Sequence, residues 1–167
     1  MKKALYILFI VGTVITACQQ KPKIIPVDKE ASKVAVTDLL DKYNSAFKAK
    51  DTTTLIALLA GDGLFCGTDP SEIWDKKQIR DGLTQGFADT SLKIDYTVDK
   101  REILISEDGN SAIAIEQLYL KIFSPNIPWR LIFHAVKSGE DWRLNFISWN
   151  FIPKNEDIEK LNKAVLE

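Results

Sequence analysis

Apolar positions recur along this chain with two different periods, and the change between them divides it. After residue 30 the spacing is helical: Leu39, Leu40, Tyr43, Ala46 and Phe47 fall on one face at i, i+4 and i+7 steps. Asp51 caps a second helix through Leu55, Leu58 and Leu59, which Gly61 ends. "LFCGTDP" then reads as a short strand that Pro70 stops, and Ile79, Leu83 and Phe87 mark a third helix. The three helices are expected over 31–49, 52–60 and 76–88.

From Leu92 onward the pattern alternates. "LKIDYTVDKREILIS" turns at Glu107-Asp108-Gly109-Asn110 into "SAIAIEQLYLKIF", and "WRLIFHAVK" turns at Ser138-Gly139-Glu140-Asp141 into "WRLNFISWNFI". Residues 155–167 close the chain as an amphipathic helix with Ile158, Leu161 and Val165 inward. The layout is α+β: a curved antiparallel four-stranded sheet plus a short strand, three helices from the N-terminal half on its concave face, and a C-terminal helix. Long twisted strands under helices form a cone, holding either a pocket or a filled core.

The N-terminus adds an address. Lys2 and Lys3 precede a short apolar run, the form of a secretory signal rather than a membrane span. The run ends in Ile15-Thr16-Ala17-Cys18, which resembles the bacterial lipobox, where the cysteine is acylated and becomes the new N-terminus. The expected division is therefore a signal peptide over 1–17, lipidated Cys18 and a Pro-containing tether to residue 30, a domain over 31–152 and the C-terminal helix over 153–167. This places the protein in the cell envelope, lipid-anchored, with the outer membrane favoured by Gln19.

Composition narrows the chemistry. Loss of Lys2 and Lys3 leaves 20 basic residues against 23 acidic ones, a balance that attracts neither nucleic acid nor anionic lipid broadly. With Cys18 acylated, Cys66 has no disulfide partner and reads as a small buried hydrophobe. The single histidine, His134, leaves no histidine-rich metal site. No zinc spacing or phosphate-cradling glycine loop occurs, so no cofactor and no metal are expected.

The order of elements resembles the nuclear transport factor 2-like superfamily, and within it the SnoaL-like cyclases and ketosteroid isomerase. "KYNSAFKAKDTTTLIALL" is similar to that group's first-helix signature, "GTDPSEIWDKKQIRDGL" to its Asp-Pro segment, and "GEDWRLNFISWNF" to its final strand. The resemblance covers roughly residues 31–152. It implies that Tyr43 matches the hydrogen-bond-donating tyrosine of the isomerase and Asp69 its general base. Phe133 falls where the isomerase carries an aspartic acid donor. A phenylalanine cannot donate to an enolate oxygen, and losing one such donor typically lowers rate about a hundred- to a thousandfold.

Each of these residues also has a structural reading. Asp69 is either the base or a cap of the Pro70 turn; Tyr43 is either a donor to ligand or a core aromatic; Trp74 is a lid or a packing anchor. Matching Phe133 inward, period-two alternation points Trp129, Leu131 and Ala135 inward, and His134 outward. The same alignment favours Ile113, Ile115, Gln117 and Tyr119 on the preceding strand and Phe146, Ser148 and Asn150 on the last. The expected ligand-binding set is thus Trp74, Gln117, Tyr119, Trp129, Leu131, Phe133, Phe146 and Ser148. A wall of that composition suits a small, mostly apolar ligand held by one or two hydrogen bonds. Ile147 and Trp149 would face away and offer a homodimer surface. Two functions follow: a binding pocket without catalysis, or a cofactor-free isomerase, dehydratase or cyclase using Asp69 and Tyr43.

Overall fold

The computed structural model describes residues 27–165. The signal peptide, Cys18 and most of the tether lie outside the described residues. The elements are α1 (Lys29–Lys48), α2 (Thr52–Leu58), β1 (Leu59–Cys66), β2 (Ile73–Trp74), α3 (Lys76–Gly86), β3 (Val98–Ile105), β4 (Ser111–Leu118), β5 (Trp129–Ser138), β6 (Asp141–Phe151), a 3-10 turn (Asn155–Asp157) and α4 (Ile158–Val165). Each of the first three helices starts on an aspartate, Asp28, Asp51 or Asp75, whose carboxylate accepts an otherwise unpaired N–H of the first turn. At α3 the Gln78 side chain accepts the Asp75 N–H in return, completing a capping box.

The six strands form one curved, open sheet in the order β2-β1-β6-β5-β4-β3. Four long strands and one short strand were expected; six are present, because β1 begins at Leu59 directly after α2 and Ile73–Trp74 adds a further two-residue strand. Gly61 therefore lies within β1 rather than ending α2. Nor is the sheet antiparallel throughout: β1 runs parallel to β6, with Phe65 beside Ile147. The long strands β3 to β6 do form an antiparallel meander, turning through Gly109 (φ +69°) and Gly139 (φ +65°), where a left-handed backbone favours glycine. β3 starts at Val98, six residues later than the pattern suggested, and β4 ends at Leu118.

The buried face of α1, with Leu39, Leu40, Tyr43, Ala46 and Phe47, packs over the sheet as its spacing required. Two strand phases differ from expectation. On β4 the inward residues are Ala112, Ala114, Glu116 and Leu118, while Ile113, Ile115 and Tyr119 are exposed and Gln117 shares their outer face. The register is the reason: Ala114 lies directly opposite Phe133 on β5 and Ile103 on β3, so a small side chain fills the space between two large ones.

On β6 the phase reverses midway. Leu144 pairs with Ala135 and Phe146 with His134, leaving Asn145 as an extra residue, a β-bulge. Before it Trp142 and Leu144 point inward; after it Ile147 and Trp149 do, and Phe146, Ser148 and Asn150 take the outer face. The homodimer surface expected from Ile147 and Trp149 is thus an interior wall, since Ile147 is fully buried. Gly63 on β1 accommodates the same irregularity, because a Cβ there would lie 2.9 Å from the Asn145 carbonyl and against the Phe65 ring. The C-terminal helix forms, but Ile158 and Val165 are exposed rather than inward.

Candidate functional site

Between α1, α3, the β1–β2 turn and the ends of β5 and β6 lies a cavity of about 150 Å³. α1 contributes Tyr43 and Phe47, α3 contributes Ile79 and Leu83, and the sheet contributes Phe65, Trp74, Trp129, Ile147 and Trp149. The rings are interlocked. Phe47 lies 4.7 Å from Trp149 between centroids, and Trp129 meets Trp149 edge to face at 5.7 Å and 88°. The Tyr43 ring is held edge-on by Phe133 at 5.3 Å.

The rim of the cavity is polar and is set by the β1–β2 turn. The Gly67 N–H donates to the Glu72 carbonyl, and the Glu72 Oε2 accepts the N–H groups of Thr68 and Asp69 at 2.8 and 3.0 Å. This folded-back carboxylate occupies the place where a side chain at residue 67 would be, since a Cβ on Gly67 would overlap Glu72 Oε2. Glu72 thereby lines the cavity with a fixed carboxylate.

Asp69 does not join it. Its side chain is exposed, and Oδ1 accepts both the N–H and the hydroxyl of Ser71, at 2.8 and 2.5 Å. The Ser71 hydroxyl, with the backbone N–H beside it, holds the Asp69 carboxyl below the ordinary aspartate range. A general base was expected here, raised by apolar walls; the structure shows a turn cap, because the exposed carboxylate is taken by the Ser71 N–H and hydroxyl. The sign of its pH contribution reverses accordingly. With a depressed folded pKa, the stability it lends is present above the unfolded pKa and lost as pH falls through the folded one.

Tyr43 is where the resemblance placed it, buried and lining the cavity. Burial pushes its phenol well above the ordinary value, with the nearby Tyr96 acting in the same direction. At neutral pH it is a hydrogen-bond donor and not a base. Trp129 is 6% exposed and lines the cavity, yet its indole N–H has no acceptor among the described residues. Unpaired buried donors are rare, and this one is closed to the cavity as well as to solvent.

Of the expected ligand-binding residues the structure gathers Trp74 and Trp129 at the cavity. Leu131 and Phe133 are inward but buried in the core beneath it, and Gln117, Tyr119, Phe146 and Ser148 are not among its walls. Sequence reasoning missed Phe47, Phe65, Glu72, Ile147 and Trp149 as walls. Phe47 was legible from its helical face; Gly67 five residues before Glu72 was the available signal for the folded-back carboxylate. His134 is outward, as expected, with Nδ1 2.7 Å from Asn145 Oδ1. Cys66 is half-buried on the cavity rim rather than fully inside. Among the described residues no group of His, Cys, Asp and Glu is placed to hold a metal.

An open curved sheet wrapped by helices around an aromatic cavity defines the nuclear transport factor 2-like class of α+β domain. Within that class the chain belongs to the SnoaL-like domain family, which matches residues 36–148. Solved structures agree on the fold. A nuclear transport factor 2-like protein of unknown function from Pseudomonas putida KT2440 superimposes with a TM-score of 0.65 at 13% identity, covering 76% of this chain and 91% of that one. A protein of unknown function from the DUF3225 family of Pectobacterium atrosepticum gives 0.62 at 17% identity, covering 74% and 92%. A nuclear transport factor 2-like protein from Cytophaga hutchinsonii gives 0.58 at 16% identity, covering 72% and 98%. No curated protein sequence matches the chain.

Proposed function

We propose that this SnoaL-like domain is a binding module that holds a small, mostly apolar ligand in its aromatic cavity, without catalysis. The observation that carries the reading is the cavity's donor and base inventory. Its walls supply aromatic rings and a protonated Tyr43, while the aspartate expected as base is exposed and engaged by Ser71. A cavity of about 150 Å³ is the size that accepts a benzene-sized molecule in an engineered protein core. The alternative, a cofactor-free isomerase, dehydratase or cyclase, rests on Glu72, which with Tyr43 lines the same cavity. Native mass spectrometry of the full chain purified from its own host should show a co-purifying small molecule. Trp149→Ala, which opens the wall, should release it, and Asp69→Asn should retain it. Loss of the ligand in Asp69→Asn would return that carboxylate to the site, and the absence of any co-purifying molecule, or its retention in Trp149→Ala, would overturn the binding reading.

The proposal extends to location. The lipobox-like Ile15-Thr16-Ala17-Cys18 makes this an envelope lipoprotein, tethered through an acylated Cys18 and facing its surroundings with the domain free. Among the described residues no helix is long and apolar enough to cross a membrane. Cys18→Ala should accumulate as an uncleaved precursor, read by the mass of its N-terminal peptide. Wild-type chain recovered in the soluble fraction with a free N-terminus at or after Gln19 would refute the anchor.

A further inference from the structure

Aromatic rings and a single carboxylate, with no counter-charge, make up the charge and π chemistry of this cavity. Three of the chain's four tryptophans line it together with Tyr43, Phe47 and Phe65. No lysine or arginine is among the residues lining it. Glu72 Oε2 is fixed by the N–H groups of Thr68 and Asp69, while Oε1 receives no donor from the described residues. Trp129 and Trp149 stand at 88° to one another, which presents one ring face and one ring edge at a corner, and Phe47 packs beside Trp149.

These features select by charge. A ring face carries negative quadrupole density and attracts a cation, most strongly for tryptophan. A carboxylate at the rim adds a full negative charge, and an anion entering here would meet it with no cation to offset it. A neutral apolar ligand would gain only from the area it buries and would be indifferent to Glu72.

We propose that the cavity takes a small organic cation, an alkylated ammonium. The aromatic walls cover the alkylated head, and Glu72 neutralises its charge. This narrows the binding reading given above and rests on it.

The test compares two probes of one shape on the full chain by isothermal titration calorimetry. One is choline; the other is its neutral carbon isostere, in which a tert-butyl group replaces the trimethylammonium. Toluene serves as a neutral aromatic control for the cavity itself. Choline is expected to bind about five- to thirtyfold tighter than the isostere, the range set by cation–π attraction at a largely desolvated site. Glu72→Gln retains an oxygen for the Thr68 and Asp69 N–H groups and removes the charge, so it should weaken choline severalfold and leave the isostere unchanged. Equal binding of both probes, or tighter binding of the isostere, overturns the cation assignment and leaves the apolar pocket standing. Toluene binding without choline binding has the same meaning. Failure of all three probes overturns the pocket reading as well. A choline preference that persists undiminished in Glu72→Gln removes Glu72 from the proposal, and the wild-type pair decides alone if that variant does not fold.

Discussion

Glu116→Ala should destabilise the domain by about 3–5 kcal/mol, the usual effect of breaking a buried ion pair by removing one partner. Glu116 is fully buried on the inner face of β4. Asn44 Nδ2 donates to its two oxygens at 3.1 and 2.9 Å, and Arg101 donates to Oε1 from Nε at 2.7 Å and from Nη2 at 2.6 Å. Arg101 Nη2 also reaches Asp41 at 2.8 Å, and the Tyr96 hydroxyl donates to Asn44 Oδ1 at 2.8 Å. The network thus joins α1 to β3, β4 and the segment before β3. Alanine leaves both the guanidinium and the Asn44 amide short of an acceptor, and the second of these is buried.

The same carboxylate gives a pH signature. Burial pushes the Glu116 pKa up, against the downward pull of Asn44 and Arg101. For an acid with a raised folded pKa, the native state holds the extra proton between the two pKa values, so stability falls as pH rises through that window. Glu116→Gln does not titrate. Relative to it, the wild type should lose stability as pH rises from about 4.3, the unfolded glutamate value, to the folded pKa, and stay level above it. Urea denaturation of both proteins across that range reads the slope. A difference that grows with pH in the wild type's favour would mean that the ion pair outweighs burial.

Phe133→Ala is the second large effect, at about 3–5 kcal/mol for a phenylalanine removed from a packed core. Phe133 is fully buried, with Ala114 and Ile147 beside it on the flanking strands and the Tyr43 ring edge-on at 5.3 Å. Neither cross-strand neighbour is free to grow into the space. Phe133→Leu should lose less than half as much, since most of the volume remains. Thermal unfolding of the two variants, compared at one pH, measures the difference. A loss below about 1 kcal/mol in the alanine variant would place Phe133 outside the core. A ring at this position holds the tyrosine edge-on.

Several of these features could be read from the chain. The helical face through Tyr43 and Phe47, the Asp51 cap and the two glycine turns are local signals, and these features form where their residues say. Strand phase is not local. The Ala-Ile-Ala-Ile run of β4 invites the larger residue inward, yet which residue turns inward is set by Ile103 and Phe133 across the sheet. The parallel partnership of β1 and β6 joins segments some eighty residues apart, and no turn announces it. Glu116 reads in sequence as the polar half of an alternation, because its partners Asn44 and Arg101 lie on other elements. The Asp-Pro motif was visible, but its geometry depends on Ser71, whose hydroxyl turned a candidate base into a cap.

The extra residue at Asn145 separates composition from placement. Downstream of it, the last strand carries two interleaved sets, Ile147 and Trp149 against Phe146, Ser148 and Asn150, and the bulge alone decides which of them the interior receives. A lineage of such domains can therefore exchange an indole wall for an amide and hydroxyl one by gaining or losing one residue at a strand's midpoint. No side chain need be substituted. Related chains that differ by a single-residue gap at this point would then align along the last strand and yet turn opposite residues of it toward the cavity, so that this wall of the cavity follows the gap, not the percentage identity.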